Sequence, residues 1–198
     1  MRRVLIIGTG TVILLLVLSQ LLLPGYLEGR VADRLTKGGG KADVTLKAFP
    51  ALTLLADRGS EAKVRGSGLD LPVSAGGNKP LDALDGFDKV DLDVTASTAG
   101  PFRVDELTLK RASDGDPYTT RLDASTTGRQ LATYVGGFLG GLAAGALPLS
   151  DTSIPVHVSA TVTSDGGRPV VREVDGTIAG FPAGPLLEAL AIAVGRSF

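Results

Sequence analysis

The apolar residues of this chain change rhythm along its length, and each rhythm predicts a different element. Residues 4–23 carry no charge at all and are followed by Pro24-Gly25. Twenty residues of helix span about 30 Å, the thickness of the hydrocarbon layer of a bilayer, so this segment predicts a membrane span. Over 26–37 the spacing becomes four, with Leu27, Val31 and Leu35 set among Glu28, Arg30, Asp33 and Arg34, which predicts an amphipathic helix ended by Gly38-Gly39-Gly40. Over 42–48 the spacing becomes two. Ala42, Val44, Leu46 and Ala48 share one face of a strand whose other side is wet. Phe49-Pro50 interrupts this strand, 51–57 predicts a short helix with Pro at its first turn, Arg58-Gly59 closes the turn, and 61–71 returns as a weaker strand.

The rest of the chain is mainly period two. Residues 72–80, rich in Gly, Asn, Ser and Pro, predict a loop, and 88–97 alternates again. A turn at 98–101 leads into its partner at 102–110, where the apolar phase slips between Val104 and Leu107 and predicts a bulge near Asp105-Glu106. After a turn at 113–117, a short strand is expected at 118–124. Residues 154–162 form the clearest strand, with Asp165-Gly166-Gly167 as a tight hairpin and 170–178 as the return. Two stretches break the β rhythm. Residues 129–147 hold no charge after Arg129, and 185–194 hold only Glu188, so both predict helices apolar on nearly every side and covered by other elements. Gly136, Gly137, Gly140, Gly141 and Gly145 stud the first of these. Each costs a helix about 1 kcal/mol relative to Ala, which close backbone approach to a sheet, a helix or an acyl chain can offset. Burial against the concave side of the sheet is the preferred reading, and a second membrane span the alternative. Thr45 to Ala51 and Thr177 to Ala183 both end a strand at Phe-Pro-Ala before a Leu-rich stretch, either a repeated strand–turn–helix unit or a coincidence.

Charge and composition orient this plan. Arg2 and Arg3 precede the apolar segment, so the positive-inside rule leaves the N-terminus cytoplasmic and exports the remainder of the chain. The chain thus divides into a stub and signal anchor at 1–25 and one extracytoplasmic domain at 26–198, within the usual size of a single domain. Cleavage as a signal peptide is the alternative, in which case the domain is secreted or periplasmic. Leu21, Leu22 and Leu23 stand where a small-x-small cleavage site belongs, and the absence of Cys excludes a lipid-modified cysteine. Gly8-Thr9-Gly10 resembles a dinucleotide-binding turn, but Ile13 occupies the third small position and no polar helix face succeeds it. Without Arg2 and Arg3 the chain holds 18 cations against 21 anions, about −3, which excludes the dense cationic face that nucleic acid requires.

The chemistry-bearing residues are sparse. The one histidine, His157, shares a strand face with Ser159 and Thr161, and no Gly-x-Ser-x-Gly elbow accompanies it. A solvent-facing histidine and a non-enzyme are the expectation, without cofactor. Asp82, Asp85, Asp88, Asp91 and Asp93 form an acidic run that lacks the spacing of a calcium loop, and no metal is expected.

The run from the apolar span through Tyr26-Leu27-Glu28-Gly29-Arg30-Val31-Ala32-Asp33-Arg34-Leu35, the strand ending Phe49-Pro50-Ala51-Leu52-Thr53-Leu54-Leu55, and the strand closing at Gly68-Leu69 together resemble the LmeA-like family of exported actinobacterial phospholipid-binding proteins. The resemblance covers roughly residues 24–71, and the opening is also similar to that of the longer AsmA-like envelope proteins. It implies a tubular lipid-binding-like fold. The expected fold class is therefore α+β: an N-terminal transmembrane helix, then a curved, mostly antiparallel sheet wrapped around apolar helices. The expected function is non-catalytic phospholipid binding or handling in the cell envelope. Val44, Leu46, Phe49, Leu52 and Leu55 would line a greasy groove, and Lys47, Arg58, Lys63 and Arg65 would meet anionic headgroups. The expected partners are membrane phospholipid, the bilayer through residues 4–23, and an envelope membrane protein. The rival is an envelope scaffold with a filled core that stabilises a membrane enzyme without binding lipid.

Overall fold

A computed structural model describes residues 19–20, 22–71, 81–130 and 151–182. Most of the apolar segment 4–23, the Gly-rich stretch beyond residue 130 and the apolar stretch 185–194 lie outside the described residues, and with them the anchor, the two buried helices and the second-span alternative. Among the described residues, no helix is long and apolar enough to cross a membrane.

The described chain is α+β, with a mostly antiparallel, open sheet and few helices. Helix α1 covers 22–35: the helix predicted over 26–37 is present, but it begins before Pro24-Gly25 and ends two residues early. Then come β1 (Lys41–Lys47), a 3-10 helix (Ala51–Ala56), β2 (Gly59–Ser67), β3 (Asp70–Leu71) and α2 (Asp82–Asp85). The remainder is a meander of β4 (Phe87–Ala99), β5 (Phe102–Arg111), β6 (Tyr118–Thr127), β7 (Ser153–Asp165), β8 (Arg168–Ile178) and β9 (Phe181–Pro182). The sheet order is β1-β2-β4-β5-β6-β7-β8-β9, with β3 also beside β4. Pairing is antiparallel except where β2 and β3 lie parallel to β4, which requires the crossover through residues 72–86. β2 and β3 form one line against β4, interrupted at Gly68, whose φ of 65° only glycine adopts readily.

The registers sort the side chains into two faces of opposite character. In one row Val44 lies beside Val64, Leu92, Leu109, Thr120, Ala160 and Val174 in turn. On the reverse face, one step along, Asp43 lies beside Arg65, Asp93, Thr108, Arg121, Ser159 and Asp175. A period-two strand keeps such a segregation only while its phase holds. Two irregularities preserve it. The bulge between Val104 and Glu106 falls where the apolar phase slips in sequence, and opposite it Ala96 takes a φ of 46°. Ser97 and Val104 thereby return to the apolar side together.

The end of the sheet where β1 finishes and β2 and β4 begin is closed. Leu54, Ala62, Leu81, Phe87, Val90 and Tyr118 form its core, with Leu27 of α1 and Leu46 packed against them. The lid over this core is polar. Arg111, 5% exposed, donates through Nη2 to the carbonyls of Leu84 and Asp85 at 3.2 Å and to that of Phe87, and its guanidinium sits 4.7 Å from the centre of the Tyr118 ring. Tyr118 donates its hydroxyl to Asp85 Oδ1 at 2.9 Å, and Ser164 donates to Asp85 Oδ2. Burial, reinforced by the Asp85 carboxylate, pushes the Tyr118 phenol well above its ordinary value of 10.0. Leu81 N–H donates to the Gly167 carbonyl at 3.1 Å, so α2 is also tied to the β7–β8 hairpin.

The two Phe-Pro-Ala stretches fold differently. Phe49-Pro50, joined by a cis peptide bond, leads into the 3-10 helix. Phe181-Pro182 instead turns back through Ala179 and Gly180, both at positive φ, to pair with Thr177 and Ile178. The described parts are therefore not copies of one strand–turn–helix unit.

Candidate functional site

One region of the apolar face differs from the rest. Val44, Ala62, Val64, Val90 and Val94 on β1, β2 and β4 are buried, as are Val104, Ala124 and Val156 in the row nearest the far end. Between that row and the Arg111–Tyr118 lid, the middle rows of β5 to β8 are only half-buried. Leu107 lies beside Leu122 and Val158, and Leu109 lies beside Thr120, Ala160 and Val174. This leaves a framed window of mainly aliphatic side chains, Thr120 apart, with no charged group among them. Its chemistry is limited to burying hydrocarbon, at about 25 cal/mol per Å² removed from water.

The nine residues expected to bind lipid fall into three groups. Val44 and Leu46 lie on the apolar face, Val44 buried and Leu46 packed against the closed core. Phe49, Leu52 and Leu55 point outward from the turn and 3-10 helix, at 90%, 46% and 64% exposure. In a 3-10 helix residues three apart eclipse. Ala51 and Leu54 therefore face inward while Leu52 and Leu55 share the outer edge. Lys47, Lys63 and Arg65 stand on the polar face of the sheet. Lys47 Nζ lies 2.6 Å from Glu61 Oε2, and its ammonium holds the Glu61 carboxyl below the usual range. Arg65 reaches Asp93 at 2.5 Å and Asp91 at 3.4 Å. Arg58 is exposed just beyond the 3-10 helix. The apolar and cationic members thus do not line one common groove: Lys47, Lys63 and Arg65 are on the reverse of the surface that carries Val44.

The polar face carries an open cleft of about 460 Å³ across β5 to β8, where Lys110 and Arg121 stand opposite Glu173 and Asp175. A second, of about 440 Å³, opens beside the β5–β6 turn between Val90, Ala112 and Pro117 and the side chains of Lys89 and Lys110. His157, exposed as expected, has its Nδ1 2.6 Å from Asp123 Oδ1, a cross-strand pair whose partner the alternation alone does not reveal. The acidic run is dispersed. Asp91 and Asp93 pair with Arg65, and Asp85 lies in the lid with Arg111, Tyr118 and Ser164. Among the described residues, no three His, Asp or Glu side chains gather as metal ligands.

Comparison with known protein families, curated proteins and solved structures finds no significant match to this chain.

Proposed function

We propose that the chain is a membrane-anchored, extracytoplasmic protein that binds or handles phospholipid in the cell envelope without catalysis. The observation that carries this reading is the half-buried aliphatic window formed by Leu107, Leu109, Leu122, Val158, Ala160 and Val174, framed by buried rows at either end. A patch of this character is a place to lay hydrocarbon, and each acyl CH₂ covered there contributes about 0.8 kcal/mol. The uncharged segment 4–23 supports the location, because a domain held beside a bilayer has lipid as its most abundant apolar ligand. The reading stands on these residues, independently of the likeness to the LmeA-like family.

The test uses the full chain in vesicles that contain a phospholipid with a photoactivatable acyl chain. Cross-linked peptides from β5 to β8, lost in Leu122→Asp, are the expected result. Cross-links confined to residues 4–23 would overturn lipid binding by the sheet. The same window would equally suit an envelope protein partner, and a single dominant cross-linked membrane protein in place of lipid would establish the scaffold reading instead.

A further inference from the structure

The outward edge of the first turn has a use separate from the aliphatic window. Glu28 of α1 accepts a hydrogen bond from the backbone N–H of Leu46 at 2.7 Å, which places the middle of α1 beside the end of β1. From there the helix runs back along β1 to the Gly38–Gly40 turn, where Gly40 approaches the carbonyl of Gly68 too closely for a side chain. The beginning of α1 therefore lies at the end of the sheet from which the 3-10 helix projects. With a helical rise of about 1.5 Å per residue, residues 22–27 extend at most about 9 Å past Glu28, and Phe49, two residues beyond the end of β1, lies at most about 10 Å past Leu46. Residues 22 and 23, the last two of the uncharged stretch, therefore lie at the same end of the sheet as Phe49, Leu52 and Leu55.

We infer that Phe49, Leu52 and Leu55 form a tip that rests in the headgroup–acyl boundary of the same bilayer the N-terminal segment enters. The inference rests on the reading of residues 4–23 as a membrane anchor. Exposed apolar side chains on one edge of a short, internally hydrogen-bonded helix suit shallow interfacial insertion. Thr53 N–H and its hydroxyl both bond the Pro50 carbonyl, and Asp57 and Arg58 N–H groups bond those of Leu54 and Thr53, so insertion leaves these backbone groups satisfied. Arg58 comes directly after the tip and can snorkel to phosphate. Two attachments at one end fix the tilt of the sheet on the membrane, which a single tether cannot do.

The chain contains no cysteine, so single reporters are easily placed. Phe49→Cys and Leu55→Cys, each carrying an environment-sensitive fluorophore, are compared with Arg103→Cys near the opposite end of the sheet. The full chain is reconstituted in phosphatidylcholine–phosphatidylglycerol vesicles with brominated acyl chains. The expected result is severalfold stronger quenching at 49 and 55 than at 103. Co-flotation of the chain with vesicles but equal, weak quenching at all three positions overturns the tip and leaves the anchor standing. Failure to co-float overturns both. Cross-linking of lipid to the β5–β8 window is decided separately and bears on neither outcome.

Discussion

Two regions of the apolar face, β2 with β4 and the middle rows of β5 to β8, follow the same alternation, yet the valines of the first are more deeply buried than the leucines of the second. Val64 and Val94 on the first are 9% and 3% exposed, whereas Leu107 and Leu122 on the second remain half-buried. The first region is covered at one end by elements from elsewhere in the chain. α1, the 3-10 helix and α2 converge on the beginning of β2 and β4, and the Arg111–Asp85–Tyr118 lid closes that end. Alternation tells which side of a strand is apolar. It does not tell how completely that side is covered, because coverage is set by elements distant in sequence.

The comparison breaks most visibly with a buried charge. Val90→Asp places an unpaired carboxylate in the first region and is expected to cost about 4 kcal/mol or more, enough to abolish cooperative urea unfolding. Leu122→Asp, in the window, is expected to cost about 1 kcal/mol while removing lipid cross-linking. Equal losses in the two variants would show that the window is as dry as the core. Next in size is Asp85→Ala. It removes the carboxylate partner of the buried Arg111, whose carbonyl bonds remain, and the acceptor of Tyr118 and Ser164, for an expected loss of about 3 kcal/mol in the same assay. If stability is unchanged, the lid does not seal that end.

Tyr118→Phe is smaller near neutrality, about 1 kcal/mol for one hydrogen bond, but it changes the alkaline limb. The folded phenol is raised above its ordinary 10.0, so its contribution is whole below that pH. Above it the unfolded chain ionises first and stability falls as pH rises toward the folded value. Unfolding followed from pH 9 upward should therefore show a shallower decline in the phenylalanine variant. Smallest is Arg65→Gln. Its pairs with Asp91 and Asp93 are solvent-exposed, so a loss under about 0.5 kcal/mol is expected, vanishing in high salt.

Much of the sheet was legible in advance because its strands are amphipathic. Ala42, Val44 and Leu46 declared β1, and Ile154 to Val162 declared β7. The slip at Val104 located the bulge, because a one-residue insertion is the simplest repair for a lost phase. The lid was not legible. Asp85 looks like one member of an acidic run, and Arg111 like the last charge of a strand. Only the crossover into β4 brings Asp85 under Arg111 and beside Ser164, which is 79 residues away in sequence. The placement of the nine residues expected to meet lipid depends on local geometry that residue type does not carry. Residue type marks Phe49, Leu52 and Leu55 as apolar and suggests a groove lining, but the three-residue period of a 3-10 helix, rather than the two of β1, turns Leu52 and Leu55 outward. Lys63 and Arg65 fell on the reverse surface because β2 keeps its strict alternation.

The parallel pairing of β2 with β4 also imposes an order of assembly. The β1–β2 hairpin is synthesised before the other strands of the sheet, yet it can gain its sheet neighbour only after the intervening residues to Phe87 have closed the crossover. The β4–β7 meander is built from nearest-neighbour pairings, although the β6–β7 connection is longer, and pairings local in sequence form faster than those needing such closure. The earliest strands of the sheet to be synthesised are thus among the last to be locked in. Pulse-labelled hydrogen exchange should find the amides of Val64 and Gly66 gaining protection after those of Leu107 and Leu109, and simultaneous protection would show the crossover closing early.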